Sequence, residues 1–422
     1  MELIILFLSI LVFVIISFLW KGSDLFSPAK LFTFIWAIVL FLSQLKLSYY
    51  QFEWDSFSWF IVLLSLISFL LGNFVVYTIY FQTKIQSIAD GRIHLMKAES
   101  LDENKLSLGI TALFLSYIIS YLVIWMIVGY IPAFTYRPNI TRVGWGIFGF
   151  GLFIHLTPLI LYLIIVYWIK FKIQTKRFLF AVYFIITFGS FFLLYQRFSL
   201  VIGIILSLVY IYYGTTKFNL KNFFLILIPL IALIFGLSTI RESELFVYYL
   251  YYLSNMKISI KYAVITEPYM YLVMSVENFA YAVSKLQDHT YGLYTFDFLT
   301  ALSGLKHTLK EHFFISDFPH LLSPFYNTYT TFFIFYRDFG ILGSFFFPFV
   351  IGFLISHFYY RMRLRPSLHT ISVYGMFVII VVFSFFIPLI TWLYFVFDFV
   401  VIYMVTKMIV YNYQERLDGV FA

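Results

Sequence analysis

FLFAVYFIITFGSFFLLYQRFSLVIGIILSLVYIYY, residues 178–213, runs for 36 residues with a single charge, Arg197, near its middle. A helix crosses the hydrocarbon core of a bilayer with roughly 17–25 apolar residues. The stretch is therefore too long for one crossing and reads as two spans, 178–195 and 198–213, folded as a tight hairpin with Arg197 at the turn. That reading makes lipid the main solvent of the chain. Similar runs fall near 2–20, 29–46, 56–81, 107–130, 147–169, 223–240, 339–359, 369–388 and 390–410, so about eleven spans are predicted. The whole composition agrees: 62% of the 422 residues are apolar, 23% aromatic and 11% charged, with mean hydropathy +0.93. A soluble multi-domain protein is excluded. The fold class expected is an all-α polytopic integral membrane protein.

Lys and Arg orient the bundle. Segments 21–30, 82–106, 170–177, 214–222, 361–369 and the C-terminal tail, counted from Lys407 at the end of the last span, carry 17 basic residues between them, against four (Lys46, Arg137, Arg142 and Arg197) in the short connections of the other side. The excess of positive charge marks the cytoplasmic face, which puts the N-terminus outside and the C-terminus inside. It also accounts for most of the net charge of +8 without invoking nucleic acid as a partner. The first span lacks a basic n-region and a small-residue cleavage site, and reads as a retained helix. With no cysteine in the chain there is no disulfide, thiolate metal site or cysteine nucleophile.

Residues 241–338 interrupt the long apolar runs and read as a large outer loop of amphipathic helices lying on the outer surface. This divides the chain into an N-terminal membrane bundle of about eight spans (1–240), the loop (241–338) and the C-terminal spans with a cytoplasmic tail (339–422). In the loop, Leu272, Val276, Phe279 and Val283 recur at helical spacing. Tyr248, Tyr249, Tyr251 and Tyr252 suit either a membrane-interface belt or stacking against sugar rings. Five arginines stand on the outer side: Arg137, Arg142, Arg197, Arg241 and Arg337. Arginine is uncommon there, and its planar fork matches phosphate oxygens, so the set points to a phosphate or diphosphate partner. His155 and Asp398 fall inside spans and must face protein or water rather than lipid.

The stretch Tyr326-Asn327-Thr328-Tyr329-Thr330-Thr331, followed by Arg337-Asp338-Phe339-Gly340-Ile341-Leu342-Gly343 and an apolar span ending in Tyr359-Tyr360-Arg361, resembles the C-terminal signature of bacterial oligosaccharide repeat-unit polymerases, the O-antigen and capsule polymerase group. Tyr195-Gln196-Arg197-Phe198-Ser199 is similar to that family's arginine at a helix hairpin. Glu277-Asn278-Phe279 and Gly292-Leu293-Tyr294-Thr295-Phe296 are similar to the middle of its large outer loop. The resemblance covers about residues 180–360 and departs from the family in the spacings after Arg142 and Arg241. It implies a multi-pass enzyme of the bacterial cytoplasmic (inner) membrane, of GT-C-like glycosyltransferase architecture, with its site facing the periplasm or cell exterior. Such an enzyme joins oligosaccharides carried on polyprenyl diphosphate and releases polyprenyl diphosphate. Membrane lipids and the chain-length regulator and flippase of the same pathway are its implied partners, and no cofactor is implied.

That chemistry needs cations for the diphosphate and an acceptor for a hydroxyl proton. Arg197, Arg241 and Arg337 are the candidates for the first task, with Glu277 and Asp338 for the second. Arg137, Arg142, Asn278, Asn327 and His320 are substrate-binding candidates. Glu53-Trp54-Asp55 has the look of a metal-holding acidic pair, but without a further outer ligand cluster a metal-independent reaction is expected. A ligase that transfers finished glycan, or a lipid-linked oligosaccharide flippase, would share the outer cations; the flippase would add a half-to-half repeat, and none is visible. Reporter fusions at Lys97 and Arg363 are expected to signal cytoplasm and one at Asp288 the outside. An outside signal at Arg363 would overturn the orientation.

Overall fold

The computed structural model describes residues 2–20, 23–83, 87–92, 101–136, 138–142, 144–194, 197–215, 244–312, 315–316 and 318–418. Helices make up 76% of the structure, and among the described residues there is no strand, only an isolated antiparallel bridge between Ser48 and Met256. The larger helices are α1 (Glu2–Leu19), α2 (Pro28–Gln44), α3 (Ser56–Tyr80), α4 (Glu103–Val128), α5 (Thr157–Lys170), α6 (Gln174–Leu194) and α7 (Arg197–Gly214). After them come α8 (Glu244–Leu253), α9 (Thr266–Lys285), α10 (Asp297–Leu302), α11 (Lys306–His312), α12 (Thr331–Leu364), α13 (Leu368–Phe383) and α14 (Leu393–Asp418). Among the described residues, seven helices are long and apolar enough to cross a membrane: α1, α3, α4, α5 with the turn before it from Phe150, α6, α12 and α14. Helices α2, α7 and α13 are apolar but shorter. The span expected at 223–240 lies outside the described residues.

The packing forms two compact units that interleave along the chain. One comprises 1–85, 219–360 and 380–393; the other comprises 86–218, 361–379 and 394–422. In the second unit, α6 ends at Leu194 and α7 begins at Arg197, and Phe191 and Leu200 meet Leu161 of α5, the hairpin read from the sequence. Phe114 of α4 stacks on Tyr183 of α6 with ring centroids 3.9 Å apart. Glu103 accepts a hydrogen bond from Tyr167 at 2.9 Å and pairs with Lys176 at 3.0 Å. The ring of His155 stacks on Tyr394 at 4.3 Å, and Asp398 one turn further along α14 is buried, so both polar residues face protein.

In the first unit α1 packs along α2 and leaves most of its side chains outward, burying Phe7 and Val14. Outward apolar residues are ordinary where lipid is the solvent; helix association there depends on close backbone approach through small residues. Gly72 of α3 and Gly352 of α12 provide it. A Cβ on Gly72 would collide with the Phe349 carbonyl oxygen, and one on Gly352 with the Phe69 carbonyl oxygen. Helix α9 does not lie on a surface as the sequence suggested. It buries 13 of its 20 residues, packs against α2 and α3, and joins Met270, Val273 and Met274 to Met256 and Tyr326 in one apolar cluster.

Helix α12 is not continuous. Gly340 adopts φ 60°, ψ −140°, a conformation closed to residues with a side chain, and the chain reverses there. Phe335 and Phe347 stack with centroids 4.9 Å apart, although twelve residues of straight helix would separate them by about 18 Å. The element is thus a short buried helix, 331–339, folded against the span 341–364. Arg337 and Asp338 sit at its tip, at the mouth of the span, as the apolar run beginning near 339 implies.

The glycine contacts give a direct test of the α3–α12 packing. Gly72→Ala and Gly352→Ala are each expected to destabilise the protein by roughly 1–3 kcal/mol, measured by thermal unfolding in detergent. Gly189→Ala, with no atom within 4 Å of the added carbon, is expected to be neutral or stabilising.

Candidate functional site

A reversal inside an apolar environment frees backbone carbonyls that must find donors. The loop from His289 to Thr295 supplies them. His289 Nδ1–H and the Thr290 N–H donate to the Arg337 carbonyl, both at 3.2 Å, and the Tyr291 N–H donates to the Asp338 carbonyl at 3.1 Å. The Asp338 carboxylate is fully buried and completes the splice. It accepts from the Thr290 hydroxyl, from the Tyr294 N–H at 3.2 Å and from the Thr295 N–H. Gly340 is needed here for space as well as for its backbone angles, because a Cβ would stand 2.9 Å from His289 Nε2.

This splice carries Tyr294 onto Arg337. The guanidinium carbon lies 3.8 Å from the centre of the Tyr294 ring, and Nη2 donates to the Ser316 carbonyl, which also accepts from the Tyr294 hydroxyl at 3.1 Å. Arg337 is only 4% exposed, yet it lines a cavity of about 230 Å³. Two further cations line the same cavity, Lys306 and Lys310, one turn apart on α11 and so on one face of that helix. Lys310 Nζ lies 4.9 Å from the centre of the Tyr294 ring, and Lys306 pairs with Asp297 at 2.8 Å. Tyr294, Tyr329, Phe333 and Trp392 supply aromatic surface, and Asn327 an exposed amide. Tyr329 stacks on Phe333 at 4.0 Å and donates its hydroxyl to the Pro319 carbonyl. Burial pushes the Tyr329 phenol above its ordinary range, against the opposing pull of Arg337, so it stays protonated and a donor. The chemistry of the cavity is that of an anion with a flat or hydroxyl-rich body attached: cations for charge, rings for stacking, amide and hydroxyl for hydrogen bonds.

The residues singled out in the sequence divide between this cavity and the framework. Arg337 and Asn327 line the cavity. Asp338 lies against a second cavity of about 330 Å³, with His289, Phe339, Leu342 and Phe346, and its oxygens are occupied by the splice. Glu277 is fully buried and accepts from four donors: Ser43 at 2.6 Å, Lys46 at 2.8 Å and Gln51 at 3.0 Å on Oε1, and Trp54 at 2.8 Å on Oε2. It fastens α9 to the end of α2 and to the connection that follows it, and lines neither cavity, an arrangement that favours a structural rather than an acid–base role. Asn278 is likewise occupied: its amide donates to the Tyr326 carbonyl at 2.7 Å and the Thr328 carbonyl at 3.0 Å, and its oxygen accepts from Leu322. It shapes the strip 322–328 that presents Asn327. His320 is exposed, at φ 57°, and does not line the cavity.

Arg142 is an exposed residue of the second unit, just after a short helix at Pro138–Thr141. Arg197 opens α7, but its side chain lies outside what the structure describes, and Arg137 and Arg241 lie outside the described residues altogether. Of the segment Glu53-Trp54-Asp55, Trp54 donates its indole N–H to Glu277 and Asp55 caps α3 by accepting from the Ser58 N–H at 2.7 Å, while Glu53 is exposed. Sequence reading passed over Lys306, Lys310, Asp297 and Trp392. The i, i+4 spacing of the two lysines was the available signal for the first pair; nothing local marked the others. Comparison of the chain with protein-family models, with curated proteins and with solved structures yields no match.

Glu277→Ala removes the acceptor of the part-buried Lys46 and of the buried Ser43, Gln51 and Trp54, and is expected to cost about 3–5 kcal/mol in unfolding free energy. Denaturant or thermal unfolding of the purified protein checks this. A variant as stable as the parent would return Glu277 to the list of chemically free carboxylates.

Proposed function

We propose that this chain is a glycosyltransferase that polymerises polyprenyl-diphosphate-linked oligosaccharide repeat units into an O-antigen- or capsule-type polysaccharide. On this reading the enzyme works at the outer face of a bacterial cytoplasmic membrane, with a GT-C-like architecture of about eleven spans, and releases polyprenyl diphosphate. Its partners are the lipid-linked oligosaccharides, the surrounding lipids, and the flippase and chain-length regulator of the same pathway. The observation that carries the proposal is the cavity in which Arg337, Lys306 and Lys310 converge beside Tyr294, Tyr329 and Trp392.

The residues fit the demands of the reaction. Negative charge grows on the diphosphate as the bond to the anomeric carbon breaks, and fixed cations in a partly dehydrated cavity stabilise that charge without reorganising. Arg337 suits this task because the Tyr294 ring and the Ser316 carbonyl already hold its guanidinium in place. Lys306 is about a third exposed, a charge able to follow the ligand. Rings of the kind gathered here stack against sugar faces, and Asn327 offers a hydrogen-bonding amide to hydroxyls.

Arg337→Lys keeps the charge but loses the fork, and is expected to lower turnover on purified lipid-linked repeat units by roughly 30- to 1000-fold, equivalent to about 2–4 kcal/mol. Lys310→Ala is expected to act mainly on apparent KM. An Arg337→Lys enzyme that extends chains at the parental rate would remove this cavity from the reaction.

A further inference from the structure

Two of the carboxylates described above are already used as fasteners: Glu277 accepts from four donors and Asp338 from three. Asp297 is different. It is 6% exposed, lines the cavity, and among the described residues its Oδ2 accepts from Lys306 at 2.8 Å while its Oδ1 has no hydrogen-bond partner. A buried carboxylate oxygen without a donor is costly, and it marks unused proton-accepting capacity at a site that also gathers cations. Its partner is the most mobile kind of cation, a lysine on a flexible stem, itself a lining residue of the same cavity.

We propose that Asp297 is the catalytic proton acceptor and that Lys306 is its substrate-operated latch. The inference rests on the polymerase reading above. In the empty cavity Lys306 and Asp297 neutralise one another. A diphosphate carries more charge than one carboxylate and draws Lys306 onto its oxygens, beside Arg337 and Lys310. Asp297 is thereby released just as an acceptor sugar hydroxyl arrives. The hydroxyl oxygen forms the new bond to the anomeric carbon of the donor; the bond from that carbon to the diphosphate oxygen breaks, and its electron pair leaves with polyprenyl diphosphate. The hydroxyl proton passes to Asp297 and is later lost to water. The latch couples proton abstraction to the presence of a leaving group.

Two roles for Asp297 make opposite predictions about binding. A residue that only holds Lys306 in position would weaken anion binding when lost. A base that competes with the anion for Lys306 would leave binding unchanged or tighter, because its loss frees a cation and removes a like charge. The full-length protein in detergent is assayed with a polyprenyl-diphosphate-linked oligosaccharide for turnover and with inorganic pyrophosphate for binding. Asp297→Asn is expected to lower kcat by about 100-fold or more. Its pyrophosphate Kd is expected to stay level or tighten by up to about fivefold, the equivalent of one screened charge interaction. Asp297→Glu, which keeps a carboxylate, is expected to retain turnover within about tenfold of the parent. Asp297→Ser serves in place of the asparagine variant if that protein does not fold. Turnover within threefold of the parent in Asp297→Asn, weaker pyrophosphate binding in that variant, or a folded Asp297→Glu as inactive as Asp297→Asn would each overturn the proposal. A parent protein that neither binds nor extends the lipid-linked oligosaccharide overturns the polymerase reading and this inference with it. An active parent beside an equally active Asp297→Asn overturns this inference alone.

Discussion

A backbone that breaks its helix in an apolar setting must have its carbonyls answered, and the Gly340 reversal places that demand at the centre of the candidate site. The answer comes from the loop 289–295, whose N–H groups reach the Arg337 and Asp338 carbonyls and the Asp338 carboxylate. Once the loop is committed to that splice, Tyr294 has to lie on Arg337, and the residues that follow, Asp297 and the α11 lysines, come to the cavity. One glycine conformation therefore decides where a ring, a carboxylate and three cations meet. Glycine takes that conformation without strain, whereas a side chain at 340 would be strained and would also meet the His289 ring.

Two acidic residues of the region are fasteners, whereas Arg337, Lys306 and Lys310 line the cavity. Glu277 draws the end of α2 and the connection that follows it onto α9 through four donors, and Asp338 draws the 290–295 loop onto the reversal. Both sit deep enough that an unpaired charge would be severely penalised, so their hydrogen bonds are conditions of the fold. Asp297 keeps spare acceptor capacity at the cavity itself. On the proposed reading, this sorting separates the work of building the site from the work of proton transfer.

Both units hold their helices together by close backbone approach, paired polar groups and stacked rings. In the unit containing the cavity, close backbone approach at Gly72 and Gly352 sets α3 against α12. In the other unit, Gly203 of α7 comes close to Pro158 of α5, Tyr162 pairs with Ser372 at 2.7 Å and Tyr167 with Glu103, and Phe114 stacks on Tyr183. All are solutions to one problem, since lipid offers no hydrophobic force to press apolar helices together.

The amino-acid sequence by itself determined that the chain is helical and lipid-facing, because span length and apolarity are local properties of a contiguous segment. It also marked Arg337 and Asn327, which line the cavity, and the hairpin at Arg197, whose helix ends the structure bears out. What it could not supply was the assignment of partners. Glu277, Asn278 and Asp338 carry the residue types of a reactive site, and only contacts to residues tens to hundreds of positions away reveal them as framework. Asp297, Lys306 and Trp392 carry no local mark, and tertiary structure alone brings 294–310 together with 327–337 and 387–392 in one cavity. Hydropathy is read along the chain, whereas the state of a buried polar group is fixed by whichever donors the fold delivers to it.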